Sequence, residues 1–226
     1  MHMRWTHLVR RSLAYYWRTN IAVVAGIATA VAVLAGALLV GDSVRGSLRD
    51  LVVERLGRTD HVVLSAEFFR EQLADDLKST ESFNISFSDA APLIALPGFA
   101  SDPASGRRGG QVRVYGVDAR FWQFHSRRPR ELEPGEALVS RALASELNAA
   151  PGSVVLVRLQ LPSEIPLESL QGRKESTGTT LRVTVSDIVP APDLGDFSLD
   201  AQQGEVRAVF VPLSFAQGEL SIRERV

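Results

Sequence analysis

Three patterns of apolar and polar residues follow one another along the first quarter of the chain. Trp5, Val9, Leu13, Tyr16 and Trp17 share one arc of a helical wheel, and Arg4, His7, Arg10, Arg11 and Arg18 share the opposite one, with Leu8 and Tyr15 breaking the pattern. Ile21 to Val40 is then a run of twenty residues without a charged side chain. Twenty residues of helix measure about 30 Å, the thickness of a bilayer's hydrocarbon core. A helix serving a soluble core needs only one apolar stripe, so a transmembrane helix is predicted over 21–40. Beyond it Val44, Leu48, Leu51, Val52 and Leu56 recur at i, i+4, i+7, i+8 and i+12, with Ser43, Arg45, Arg49, Asp50, Glu54 and Arg55 assigned to the other side. That stripe predicts a stalk helix over 41–57. Thr19-Asn20 is expected to end the first helix, over 1–20, and to cap the span.

After Gly57 the pattern becomes that of an ordinary folded domain, 58–226. His61 to Ser65 reads as a strand, Phe68 to Lys78 as an amphipathic helix and 83–96 as extended, ending at a Pro97-Gly98 turn. A turn-rich loop containing Asp102 and Gly106 to Gly110 precedes a half-buried strand at Val112 and Val114. A helix is predicted from Glu136 to Asn148, carrying Val139, Leu143 and Leu147 on one side. Strands follow at Val154–Leu161, at Leu181, Val183 and Val185, and at Val206–Val211, with a polar loop over 162–178. Helices and strands mix without regular βαβ alternation, which predicts an α+β class.

Charge sets an orientation. Four of the 25 Lys and Arg residues and none of the 26 acids precede Ile21, so 21 basic residues face 26 acidic ones beyond the span, a net charge of −5. Arginine-rich flanks stay in the cytoplasm, which places the N-terminus inside and the domain outside the bacterial inner membrane. Arg4, Trp5, Arg10, Arg11, Trp17 and Arg18 then serve as interfacial anchors in the headgroup layer, apolar rings down and guanidinium groups toward anionic lipid. Ala25, Thr29, Ala32 and Gly36 line one face of the span, where small residues let another helix approach closely. Ala35-Gly36-Ala37 has the form of a signal-peptidase site, but the apolar run continues through Leu38, Leu39 and Val40 into the stalk, which favours a retained anchor. The acidic exported part offers no nucleic-acid surface.

Candidate chemistry is sparse. His2, His7, His61 and His125 are scattered, cysteine is absent, and Lys78 and Lys174 lack the surroundings of a phosphate-binding loop. Asp75-Asp76 reads as solvated helix surface, and Asp187, Asp193 and Asp196 as turn residues around Pro190 and Pro192. Ser65, Ser140 and Ser214 lack a nucleophile elbow. No catalytic, cofactor-binding or metal-binding residue is expected, and ATP must be bound by another protein.

The run ending LLVGDSVRGSLRDLVVERLGRTDHVVLS, followed by GEALVSRALASELNAAPGSVVLVRL and EVRAVFVPLSFAQ, resembles the N-terminal portion of an FtsX-like, MacB-type ABC transporter permease. The resemblance implies a first span, a stalk and an extracytoplasmic core domain. It also implies a separate ABC ATPase subunit and further permease helices or a second permease copy as partners. In that family, ATP-driven closure of cytoplasmic subunits travels up the stalks to the outer domains for export, extraction or envelope signalling; Gly41 and Gly46 are the expected bending points. Three further spans close such permeases. No second apolar stretch follows Val40 here, so a truncated or split permease is expected. The alternative is a single-pass membrane-anchored adaptor that binds a protein outside the membrane.

Overall fold

A computed structural model describes residues 5–65, 67–160, 178–202 and 204–226. Arg4, His2, Lys174 and almost all of the 162–178 loop lie outside the described residues. The chain divides into two compact units, Met1–Leu51 and Val52–Val226.

The first unit is helical: α1 covers Trp5–Tyr15, and α2, Trp17–Leu56, begins here and ends in the second unit. The break between them is the single residue Tyr16, not Thr19-Asn20. Tyr16 N–H donates to the Ser12 carbonyl at 3.0 Å and Asn20 N–H to the Tyr16 carbonyl at 2.9 Å. Helical bonding therefore passes through the break and leaves no orphaned N–H for a cap to satisfy. Every side chain from Ile21 to Val40 is exposed, Leu38 at 74%. An apolar helix without a protein neighbour has lipid as its natural surroundings. The Thr29 hydroxyl donates to the Ala25 carbonyl at 2.9 Å, so even this polar group is satisfied within the helix.

The second unit is built on six strands: β1 (Ile94–Ser101), β2 (Arg108–Val117), β3 (Glu136–Ser140), β4 (Val154–Leu159), β5 (Thr180–Val189) and β6 (Ala208–Pro212). They close into a barrel in the order β1-β2-β6-β3-β5-β4. β2 runs parallel to β6 and β3 parallel to β5, and the remaining pairs are antiparallel. Among the described residues five short α-helices, α3 (Leu73–Lys78), α4 (Glu81–Ser86), α5 (Ala119–Phe124), α6 (Arg141–Leu147) and α7 (Leu213–Glu219), and a 3-10 turn at Ala191–Asp193 accompany the strands. The class is α+β. Alternation places Leu181, Val183 and Val185 of β5 and Val155, Val157 and Leu159 of β4 inside, with Arg182 and Thr184 outside. Ala208 to Val211 of β6 are all buried. Leu143 and Leu147 of α6 and Leu213 and Ala216 of α7 join the barrel core. A second cluster gathers Tyr115, Phe121, Trp122, Phe197 and Phe210.

Several elements differ from the sequence expectations, each for a local reason. His61–Ser65 is not a strand and has no ladder partner among the described residues. Phe68–Glu71 is not helical, because the backbones of Phe69 and Glu71 bond to Val226 and Glu224, a competing two-stranded contact. The helix there is only Leu73–Lys78, and residues 83–86, expected to be extended, belong to the helix Glu81–Ser86. Pro97-Gly98 lies inside β1 beside a bulge rather than in a turn. A Cβ on Gly98 would stand 2.7 Å from the Arg158 carbonyl, so this close approach of two backbones requires glycine. The predicted Glu136–Asn148 helix is instead β3 followed by α6. Ser140 ends the strand and caps the helix, its Oγ accepting from Leu143 N–H at 3.3 Å.

Candidate functional site

Within the second unit, the last turn of α2 is fastened to the barrel by an unusually polar joint. Arg55 is only 9% exposed. Its guanidinium donates to the Gly204 carbonyl at 2.8 Å and to the carbonyl of Gln202, and its own carbonyl accepts from Ser198 N–H at 3.3 Å. A long cation is tolerated there because its donors meet backbone acceptors rather than bare hydrocarbon. Burial raises the neighbouring Asp196 carboxyl above its ordinary range against the opposing pull of Arg55.

Gly57 then turns the chain with φ +59, a conformation that side chains resist. A Cβ here would sit 2.7 Å from Nδ1 of His125, so the glycine also makes room for the ring. Arg58 N–H donates to that same Nδ1 at 3.2 Å, and the Arg58 guanidinium donates to the Ser126 hydroxyl. His125 is buried among Phe121, Phe124 and Phe197, with ring centroids at 4.8, 5.0 and 5.3 Å. Burial, reinforced by the nearby Arg58 and Arg127, pushes its pKa down to about 4. The ring is therefore neutral at ordinary pH and can accept the Arg58 bond. Phe197 also ties this cluster to the barrel wall, since the Tyr115 hydroxyl donates to its carbonyl at 3.3 Å. Burial raises the Tyr115 pKa.

The anticipated site residues fall on the two long helices. Trp5, Arg10 and Arg11 lie on α1, while Trp17 and Arg18 open α2, with the Arg18 guanidinium 5.6 Å from the Trp17 ring. Ala25, Thr29, Ala32 and Gly36 lie along α2, all exposed. Of the stalk residues, Val44 is exposed, and Leu48, Leu51, Val52 and Leu56 are half-buried. One stalk assignment needs correction: Arg55, expected on the solvent side, is buried. Its spacing carried the signal, because seven residues after Leu48 it falls on the centre of the apolar stripe. His125, Ser126 and Ser198 left no comparable mark, since only the tertiary fold brings them to Gly57.

Four of the carboxylates noted in the sequence are engaged in ion pairs. Asp75 pairs with Lys78 and Arg120, Asp76 with Arg70, Asp187 with Arg130 and Asp193 with Arg127. Among the described residues no three His, Asp or Glu side chains gather as a metal site.

A model of the MacB-like periplasmic core domain matches residues 21–226. The chain belongs to the MacB-like periplasmic core domain family. This core domain is one of the ABC transporter permease family. None of the curated proteins matches it. Among solved structures, the crystal structure of the periplasmic region of MacB from Actinobacillus actinomycetemcomitans is similar at 10% identity with a TM-score of 0.40, covering 70% of this chain. The chain spans 61% of that structure's length. Among the described residues one helix, Trp17–Leu56, is long and apolar enough to cross a membrane, and the MacB-like domain follows it, an order that fits a protein anchored in the inner membrane.

Proposed function

We propose that the chain is the N-terminal part of an ABC transporter permease that carries ATPase-driven motion through one membrane helix to an extracytoplasmic domain. Residues 1–20 form the cytoplasmic interfacial segment, 21–40 the span, 41–57 the stalk and 58–226 the domain outside. The four arginines before Ile21 support that orientation. The observation that carries the reading is the junction: α2 continues helically from the apolar run to Leu56, and its last turn is held by Arg55 and His125 contacts rather than by a slack linker. A helix end fixed in this way moves the domain when the helix moves. ATP itself is bound by a partner ABC subunit, with other permease helices or a second copy packed on the Ala25, Thr29, Ala32 and Gly36 face.

The absence of cysteine makes a direct test possible. A spin label at Arg182 should change its separation from labelled lipid headgroups when ATP is added to membranes containing the partner ATPase, and the Arg55→Ala variant should blunt that change. An ATP-independent separation, together with failure to co-purify with any ATPase, would support the adaptor alternative.

A further inference from the structure

The last turn of α2 is held to the barrel unit at two points, and the two answer acid differently. At the first, Arg55 bonds to the carbonyls of Gln202 and Gly204 and accepts from Ser198 N–H. None of these groups gains a proton near neutrality. The carboxylates of Asp196, Glu54 and Glu205 gather around this first point. At the second, Nδ1 of His125 accepts from Arg58 N–H. A protonated imidazole has no free lone pair at either nitrogen, so this bond cannot survive protonation. Nor does an anion wait for the new charge. From the end of α2 the ring faces Arg58, and from the turn after α5 it faces Arg127. The β5–β6 connection offers Phe197, and its Asp193 is paired with Arg127 at 3.7 Å. The other ring neighbours, Phe121 and Phe124, lie on α5 itself. With the ring only 6% exposed, a proton would make a buried cation between two others, relieved by moving the ring. The ring's hydrogen bond is to Arg58 and not to a barrel strand, so the strands can stay closed when it breaks.

We propose that His125 is an acid-released latch: protonating its ring frees the Gly57–Arg58 turn while Arg55 keeps its grip, so a rigid two-point joint becomes a one-point pivot. Two attachments fix the direction of a helix end, and one leaves it free to swivel. Acid then uncouples the barrel from the helix without unfolding either. The uncoupling of motion rests on the transmission reading above; the release itself does not.

Electron spin resonance distances on the full chain in nanodiscs, with no ATPase or nucleotide, test it. One pair of spin labels is placed at Val53 and Arg182, a second at Ala95 and Thr184, all exposed and all within the second unit. As the pH falls, the first pair's distances should broaden. The released share relative to the latched one should rise about tenfold per pH unit between 6.5 and about 4. The second pair, inside the barrel, should stay narrow. His125→Gln keeps an acceptor for Arg58 N–H that takes no proton, and its first pair should stay narrow throughout. Arg127→Ala removes one of the two facing charges, so its rise should level off at a higher pH, a check that holds if the glutamine variant does not fold. A first pair that never broadens overturns the proposal, as does an unmoved plateau in Arg127→Ala. Broadening of both pairs together is unfolding, and equal broadening in His125→Gln would assign the release to the carboxylates around Arg55; either also overturns it. Release on acid without any ATP response of the labelled domain would leave the latch standing and remove the transmission reading.

Discussion

Arg55 and Gly57 lie two residues apart, and each answers a different demand of the joint. Replacing Arg55 by Ala removes its charged hydrogen bonds to the carbonyls of half-buried Gln202 and exposed Gly204, at a cost of about 1–3 kcal/mol. Urea unfolding of the full chain in detergent should show that loss as a lowered midpoint. Gly57→Ala adds a Cβ at φ +59 against His125 and should destabilise by about 1–3 kcal/mol. Gly46→Ala, where nothing lies within 4 Å of the new Cβ, should instead stabilise α2 by about 0.5–1 kcal/mol. Opposite shifts from two Gly→Ala changes in one helix region separate a required glycine from a tolerated one. His125 gives the joint an acid dependence. Above pH 6.5 the ring is neutral both folded and unfolded, and stability is full. Between 6.5 and about 4 only the unfolded chain takes up the proton, so stability falls by about 1.4 kcal/mol per pH unit. Below about 4 this contribution stops changing. The slope should flatten in His125→Gln when midpoints are measured across that range. The sequence announced Arg55 through its position on the stripe, but the partners of Gly57 come from segments some seventy and 140 residues away, and no local spacing encodes them.

At the scale of elements, alternation was the most legible signal. β4 and β5 follow their inside-outside pattern directly, because each residue's neighbour across the wall is set by the pleat. Helical spacing misled where two elements share one register: Val139, Leu143 and Leu147 are four apart, yet Val139 lies in a strand and the other two lie in the helix after it. Ser140 marks the change, since its Oγ accepts from both Leu143 N–H and, at 3.0 Å, Ala208 N–H of β6. Ser140→Ala removes the cap and orphans a buried strand donor together, and should cost about 2–3 kcal/mol in equilibrium unfolding. Phe68–Glu71 shows the reverse error. Its composition suits a helix, but its backbone is already committed to Glu224 and Val226, a pairing that composition cannot report.

For the whole molecule, the mixed class and a long apolar helix ahead of a sheet domain were readable because hydropathy acts over long windows. Barrel closure was not, since nothing in the period of β2 or β6 names the other as neighbour. The proposed orientation predicts a simple outcome in spheroplasts treated with external protease. An epitope after Val226 should be removed, while one before Met1 survives until the membrane is opened.

The partnership of β2 with β6 has a consequence for biogenesis. Val114 and Val209 stand side by side, although ninety-five positions of polypeptide separate them, and pairings between such remote stretches form slowly. The wall cannot shut until Ala208 to Pro212 have left the ribosome and, in the proposed orientation, crossed the bilayer. The domain must therefore travel as an open thread and acquire its shape on arrival. A nascent chain halted just before Ala208 should stay sensitive to protease, and release of the next few residues should make it resistant.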